Sequence, residues 1–289
     1  MRLGSYIGVN IGGVALLGTR TYLAVDASCV TAAEVVEGVR GQRLRTLAHE
    51  PLPQGAVLPG PLGPNLAAAD AVRAGVARVL RGVGRARVTL VLPDGVGRIA
   101  LVEPPRGVVA RDYVRYRLAA SLPWPAAEGV FDTLDAGSGR VVGAAVRRAT
   151  VAEYEQAASA AGASVEQVHL APLLGLAGLL RERRGDELHA LLGDVAMCLA
   201  FVREGSILAL RSRRRDRSRG EASRLRAELV RLASQAANGN GSVPLAVSGS
   251  DAPGLRPDLG AGATGNGSAP VPALAGGAAE ASWLPGIVA

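Results

Sequence analysis

A chain of 289 residues can form one large domain or two lobes around a real core. With 48% hydrophobic but only 3% aromatic residues, that core is expected to be built from Ala, Val and Leu. All 32 basic residues are arginine, and the net charge of +7 favours an anionic surface without choosing among membrane, nucleic acid and acidic protein. Cys29 and Cys198 lie far apart with no metal-ligand spacing, which reads as buried free thiols in a reducing compartment. His49, His169 and His189 are isolated, so neither a zinc site nor a histidine triad is indicated. No apolar run approaches the roughly 18–20 residues that span a bilayer, and a soluble cytoplasmic chain is expected.

Residues 1–20 read as a flexible or strand-like extension. Ile7-Gly8-Val9-Asn10-Ile11-Gly12-Gly13 looks like a phosphate loop with Asn for Asp, while its glycines and the lack of a cleavage site count against a signal peptide. Thr21 to Glu50 then reads as an antiparallel meander. A first run ends in Leu23-Ala24-Val25-Asp26-Ala27-Ser28, a second covers Val30 to Val36, and after a turn at Glu37-Gly38 a third covers Arg43 to Ala48. A carboxylate at the first hairpin mouth suits a metal-phosphate ligand, because small neighbours let backbone N–H groups approach phosphate oxygens. That arrangement resembles the opening of the actin-like ATPase superfamily. A plain turn, favoured by Asp and Ser, is the competing reading.

A Pro/Gly loop follows, then a helix with Ala68, Val72, Val76, Val79 and Leu80 at helical spacing, capped by Asn65 or Asp70 and ended by Gly82 to Gly84. Arg87 to Asp94 reads as a buried strand closed by Pro93, and Val96 to Val102 as another. A helix over Ala110 to Leu122 precedes two strands, Val130 to Leu134 and Arg140 to Val146, around a glycine turn. The helix Thr150 to Ala161 carries an apparent capping box, Thr150 with Glu153, and stops at Gly162. Val165 to Leu170 is a strand and Leu173 to Leu180 an apolar helix. Beyond them two strand-type runs, Ala190 to Val202 and Ile207 to Leu210, flank a turn at Arg203 to Ser206. Arg211 to Arg219 reads as a solvated loop, with a phosphate-binding patch as the alternative. An amphipathic helix, Gly220 to Ala237, buries Leu225, Leu229 and Leu232. Val243 to Val247 is the last strand, Gly260 to Ala279 is too poor in large apolar side chains for a core, and Glu280 to Ala289 could add a short helix.

The runs LVLPDGVGRIALVEPP, SLPWPAAEGVFDTLD and VVGAAVRRATVAEYEQAASAAGASVEQVHLAPLLGLAGLL, in that order, resemble the PilM family of type IV pilus assembly proteins. The order of elements fits from about Thr21 to about Leu255. Members are actin-like relatives of FtsA and, more distantly, of the secretion protein GspL. The resemblance implies an α/β, actin-like (ribonuclease H-like), two-lobed fold with an inserted 1C-type subdomain. The implied division is a first lobe of 21–85 and 166–188, an insertion of 86–165, a second lobe of 189–259 and a low-complexity tail of 260–289.

What the family does would then follow. A cytoplasmic scaffold at the inner face of the inner membrane is implied, binding the cytoplasmic N-terminal tail of a PilN-like membrane protein, with self-association open. The tail's groove would lie near Val96, Ile99, Leu101, Tyr113, Tyr116 and Arg117. The nucleotide site would comprise Asp26, Ala27, Ser28, Asp194, Ala196, Ser248 and Gly249, and it departs from the family pattern three times. Ser28 and Ala196 stand where glycines belong, and only Gly249 remains of a Gly-Gly adenosine motif. A Cβ penalises the positive-φ turns that hug phosphate, so ATP and Mg²⁺ are expected to bind weakly or not at all, without turnover. An active ATPase of the same fold is the alternative. A nucleic-acid-binding role is not expected, for want of a recognition helix or stacking aromatics.

Overall fold

The computed structural model describes residues 18–38, 41–84, 86–181, 185–216, 220–236 and 245–249. Most of the expected extension at 1–20, the tail at 260–289 and the short helix at Glu280 lie outside them. Two sheets share one construction. In the first, strands β1 (Gly18–Val25), β2 (Cys29–Gly38) and β3 (Gly41–Pro51) form the antiparallel meander. Helix α1 (Ala69–Val83) then crosses over to β4 (Arg87–Leu92), which runs parallel to β1. The second sheet repeats this scheme, with β9 (Glu187–Leu192), β10 (Ala196–Arg203), β11 (Ser206–Arg214), helix α5 (Glu221–Ala236) and β12 (Leu245–Gly249) parallel to β9. Strand order is β3-β2-β1-β4-β8 in the first sheet and β11-β10-β9-β12 in the second; β8 (Ser164–Leu170) extends the first alongside β4.

Strand alternation explains why these runs are apolar throughout. Successive side chains point to opposite faces, and each face of β1 is covered. Leu23 and Val25 join the main core with Val72, Val76 and Val79 of α1, while Tyr22 and Ala24 pack with Val91, Ala171 and Leu174. The last two belong respectively to helix α4 (Ala171–Arg181). In the second sheet, Leu188, Ala190, Leu192, Met197, Leu199 and Phe201 meet the Leu225, Leu229 and Leu232 stripe of α5. From its opposite face, Leu191, Cys198, Ala200 and Val202 enter the main core. The two cysteines are free, Cys198 fully buried and Cys29 half-buried.

Between the halves sits a third sheet, ordered β5-β7-β6, from β5 (Gly97–Val102), β6 (Gly129–Gly137) and β7 (Arg140–Arg147). Helix α2 (Ala110–Ala119) covers it, with Val114 and Leu118 against Phe131 and Ala145. Gly143 makes this possible, since a Cβ there would come within 2.6 Å of Val114 Cγ1. The strands of this sheet all fall within 97–147. Strand β4 and helix α3 (Arg148–Ala160), inside the expected 86–165 insertion, belong with the first sheet: β4 pairs with β1 and β8, and α3 packs on α1 and β8.

Several local expectations give way to tertiary contacts. Helix α3 starts at Arg148, and no side chain caps it. Glu153 is not half of a capping box; its carboxylate accepts the backbone N–H groups of Asn65 (2.9 Å) and Leu66 (2.8 Å). Asn65 caps no helix either: its Oδ1 accepts the Gly60 N–H, and α1 begins beyond it at Ala69 without a side-chain cap. The run read as one strand from Ala190 to Val202 folds back at residues 193–195 into β9 and β10. Arg211 to Arg214 lie in β11 rather than a solvated loop, and Arg215 is buried. Gly162 does end α3, with φ +95° just past its last turn. Glu153→Ala should strand the two amides it accepts and cost about 1–3 kcal/mol, seen as a lower urea midpoint with an unchanged slope.

Candidate functional site

Parallel pairing brings the C-terminal ends of β1 and β4 side by side, and the end of β9 faces them from the second sheet. Each end carries an aspartate: Asp26 after β1, Asp94 after β4 and Asp194 after β9. In open α/β sheets this carboxyl-end edge is where ligands sit. The turn after β1 is closed by the Asp26 N–H donating to the Cys29 carbonyl (2.8 Å), and the turn after β9 by the Gly193 N–H donating to the Ala196 carbonyl (3.0 Å).

The two turns are joined directly. Ser28 Oγ donates to Asp194 Oδ2 at 2.8 Å across 166 residues of chain. Asp94 Oδ2 accepts the backbone N–H of Ala196 at 2.8 Å, and the Val195 N–H also bonds this carboxylate. The fit is close: a Cβ on Gly193 would lie 1.9 Å from Asp94 Oδ2. Arg215, its side chain only 1% exposed, braces the turn from behind. Its Nη1 donates to the Gly193 carbonyl (2.6 Å), its Nε and Nη2 grip the Glu221 carboxylate (2.8 and 3.0 Å), and its own N–H donates to the Val195 carbonyl (2.8 Å). A bidentate guanidinium–carboxylate pair of this kind is a rigid fixture.

Burial dominates the electrostatics. It pushes Asp94 up to about 6, with Asp194 adding to the rise, while the Ala196 and Val195 amides and Arg215 pull the other way. Asp26 goes further, to about 8, through burial first and then the negative charges of Asp94 and Asp194. The neighbouring thiols follow: burial, with Asp26, raises Cys29 to about 11, and burial, with Asp94, raises Cys198 to about 12. Among the described residues no group of three or more His, Cys, Asp or Glu converges to hold a metal ion.

Phosphate loops work by aiming free backbone N–H groups at an anion. Here the Ala196 amide is taken by the chain's own carboxylate, and a phosphate would have to displace a negative group already in place. Beneath the junction a cavity of about 20 Å³, lined by Asp94, Gly193, Leu170 and Cys198 among others, has room for about one water. In this arrangement the Ala196 N–H is not open to an anion.

Of the residues expected at a nucleotide site, Asp26, Ser28, Asp194 and Ala196 do come together, with Ala27 in the same turn as Asp26 and Ser28. Ser248 and Gly249 end β12 beside Leu191 and Leu192, on the same edge of the second sheet. Asp94, Gly193 and Arg215 carry no comparable signal in the sequence. The Pro93-Asp94-Gly95 triplet signals a turn, but nothing in it tells which amide the acid will accept a hundred residues on.

The residues expected to line a peptide groove divide. Val96 and Ile99 are buried in the main core, and Leu101 is half-buried against it. Ile99, Leu101 and Arg117 line a second cavity of about 500 Å³, whereas Val96, Tyr113 and Tyr116 do not. Tyr116 is 75% exposed, Tyr113 lies one turn before it on α2 and is half-buried, and Val109, 63% exposed, is the extended residue just before the helix.

No family model matches the sequence, and no curated protein is significantly similar to it. Solved structures do match. The PilM-PilN type IV pilus biogenesis complex matches with a TM-score of 0.64 at 20% identity, over 86% of this chain and 87% of that one. A Bacteroides thetaiotaomicron protein described as having an actin-like ATPase fold and unknown function matches with a TM-score of 0.54 at 10% identity, over 84% and 87% of the two chains. Paired βββαβ halves, a sheet inserted between them and these likenesses together show that this chain has the actin-like ATPase fold.

Proposed function

We propose that the protein is an actin-like scaffold of a type IV pilus or related secretion assembly, holding the cytoplasmic tail of a PilN-like inner-membrane protein and hydrolysing no nucleotide. The observation that carries this reading is the Asp94 carboxylate on the Ala196 amide, within a fold similar to that of the PilM-PilN complex. The fold supplies the assembly role by likeness, and the occupied turn supplies the reason a triphosphate finds no cradle. None of the helices among the described residues is long and apolar enough to cross a membrane. In this reading association with the inner face comes through the partner. The tail would dock on the inserted sheet, beside Tyr113 and Tyr116 of α2 and the exposed Val109 just before it. Apolar anchors at helical spacing suit a short partner segment, and tyrosine adds a polar tip at the rim.

Calorimetric titration with Mg²⁺-ATP should show no saturable binding up to about 1 mM, and Asp94→Ala, which frees the Ala196 amide, should gain anion binding. Micromolar binding by the unaltered chain that is abolished in Asp26→Ala would overturn the reading. Capture of the partner's synthetic tail should fall in Tyr116→Ala while the melting temperature holds, because that side chain lies outside the core.

Asp26 gives a pH signature. Its folded-state pKa stands near 8 against an ordinary 3.8, so the folded chain holds a proton that the unfolded chain gives up. The stabilisation from that proton is full below about pH 4 and is lost as the pH rises through about 8. Asp26→Asn should therefore melt progressively higher than the parent between pH 5 and pH 9, read by thermal scans at each pH.

A further inference from the structure

Large apolar side chains stand exposed together on the helix that covers the inserted sheet and on the turn leading into it: Val108 (45%), Val109 (63%) and Tyr116 (75%). The turn is fixed. The Val108 N–H donates to the Pro105 carbonyl (3.1 Å), and Gly107, with φ +80°, supplies the left-handed third residue that a type II turn needs. This holds Arg106 and Val108 out in solvent, and the Val109 carbonyl starts α2 by accepting the Tyr113 N–H (3.1 Å). Along the helix Val114 and Leu118 turn to the core, while Arg111, Asp112, Arg115, Tyr116 and Arg117 stay outside.

The same surface is basic. Arg106, Arg111, Arg115 and Arg117 stand against Asp112 alone on this stretch, and Glu103 just before it is paired with Arg140 (3.6 Å). Two of the arginines are set by the sheet beneath: Arg111 Nε donates to the Phe131 carbonyl (2.8 Å), and the Arg115 guanidinium lies 6.0 Å from the centre of the Phe131 ring. Arg106 makes no hydrogen bond or ion pair among the described residues.

We propose that this face lies directly on an anionic bilayer, with Val108 and Val109 entering the headgroup layer and Arg106 and Arg115 on lipid phosphates. Guanidiniums alone would suit any polyanion. Aliphatic side chains held among them on a fixed turn select one whose phosphates overlie hydrocarbon, and arginine stems can lie along that apolar layer with their heads at the phosphates. A nucleic-acid backbone has no apolar layer for the valines, and one tyrosine is no stacking platform for bases. The contact goes beyond the pilus reading and needs no partner, since Tyr116 can hold a tail while Arg106 and Val108 are on the lipid.

The test is co-sedimentation of the whole chain with vesicles of phosphatidylglycerol and phosphatidylcholine, run beside pure phosphatidylcholine vesicles and a labelled oligo-dT. Expected is salt-weakened binding to the anionic vesicles alone, roughly tenfold weaker in Arg106→Gln/Arg115→Gln. A chain of net charge +7 could adsorb by any side. Arg43→Gln/Arg81→Gln, which removes two exposed arginines from β3 and α1, is therefore the control and should lose about twofold at most. Val108→Ser should weaken binding about threefold through its lost apolar area, and the added indole of Val108→Trp should be quenched by brominated lipid beyond the parent's own signal. Thermal melts check each fold, and Arg106→Gln alone, on the exposed turn, replaces the double variant should that one fail to fold. No binding to anionic vesicles, equal loss in the control pair, indifference to Val108→Ser, an unquenched indole, or preference for oligo-dT would each overturn the proposal. Capture of the PilN-like tail through Tyr116 is read without vesicles, so either idea can fail while the other stands.

Discussion

The Asp94 carboxylate, accepting the Ala196 amide at 2.8 Å, links the end of a strand in the first sheet to a turn in the second. Much around it follows from that contact. Gly193 must lack a side chain, because any Cβ would overlap the carboxylate oxygen. Arg215 must be buried to hold the Gly193 carbonyl, and Glu221 must be there to balance the guanidinium. A buried charge left alone would cost several kcal/mol, so each charged group at this junction brings another with it. The Ser28 to Asp194 hydrogen bond closes the same junction from the other turn.

Such a junction changes what the two hairpin turns can do. In a nucleotide cleft, turn amides stay open to an anion and a metal balances the nearby acids. Here the acid is turned inward onto the amide, and burial keeps Asp26 inclined to hold a proton near neutral pH. The turns act as a clasp between halves.

Arginine in place of lysine suits this architecture. Glu228 serves three guanidiniums at 2.9 Å each, and Arg215 makes a planar, two-pronged grip on Glu221. A fixed fork of donors can share or clamp carboxylates in ways a single ammonium cannot. The basic balance of the chain is therefore partly structural, bracing β11 and α5, while Arg98 and Arg117 have no ion pair among the described residues.

Local sequence determined most elements of this protein. The meander from Thr21, the apolar face of α5 and the glycine stop after α3 each follow from a periodicity or a backbone preference within a dozen residues, and their order carried the resemblance to an actin-like fold. It determined Asp26, Ser28, Asp194 and Ala196 as neighbours only through that resemblance. Tertiary structure alone decided that Glu153 would serve the Asn65 and Leu66 amides rather than its own helix, that Arg215 would be buried in a run of exposed-looking arginines, and that Asp94 would fill the second turn. A carboxylate or guanidinium satisfies itself with whatever complementary group packing brings within about 3 Å. Those partners lay up to about a hundred residues away, where no local pattern can reach.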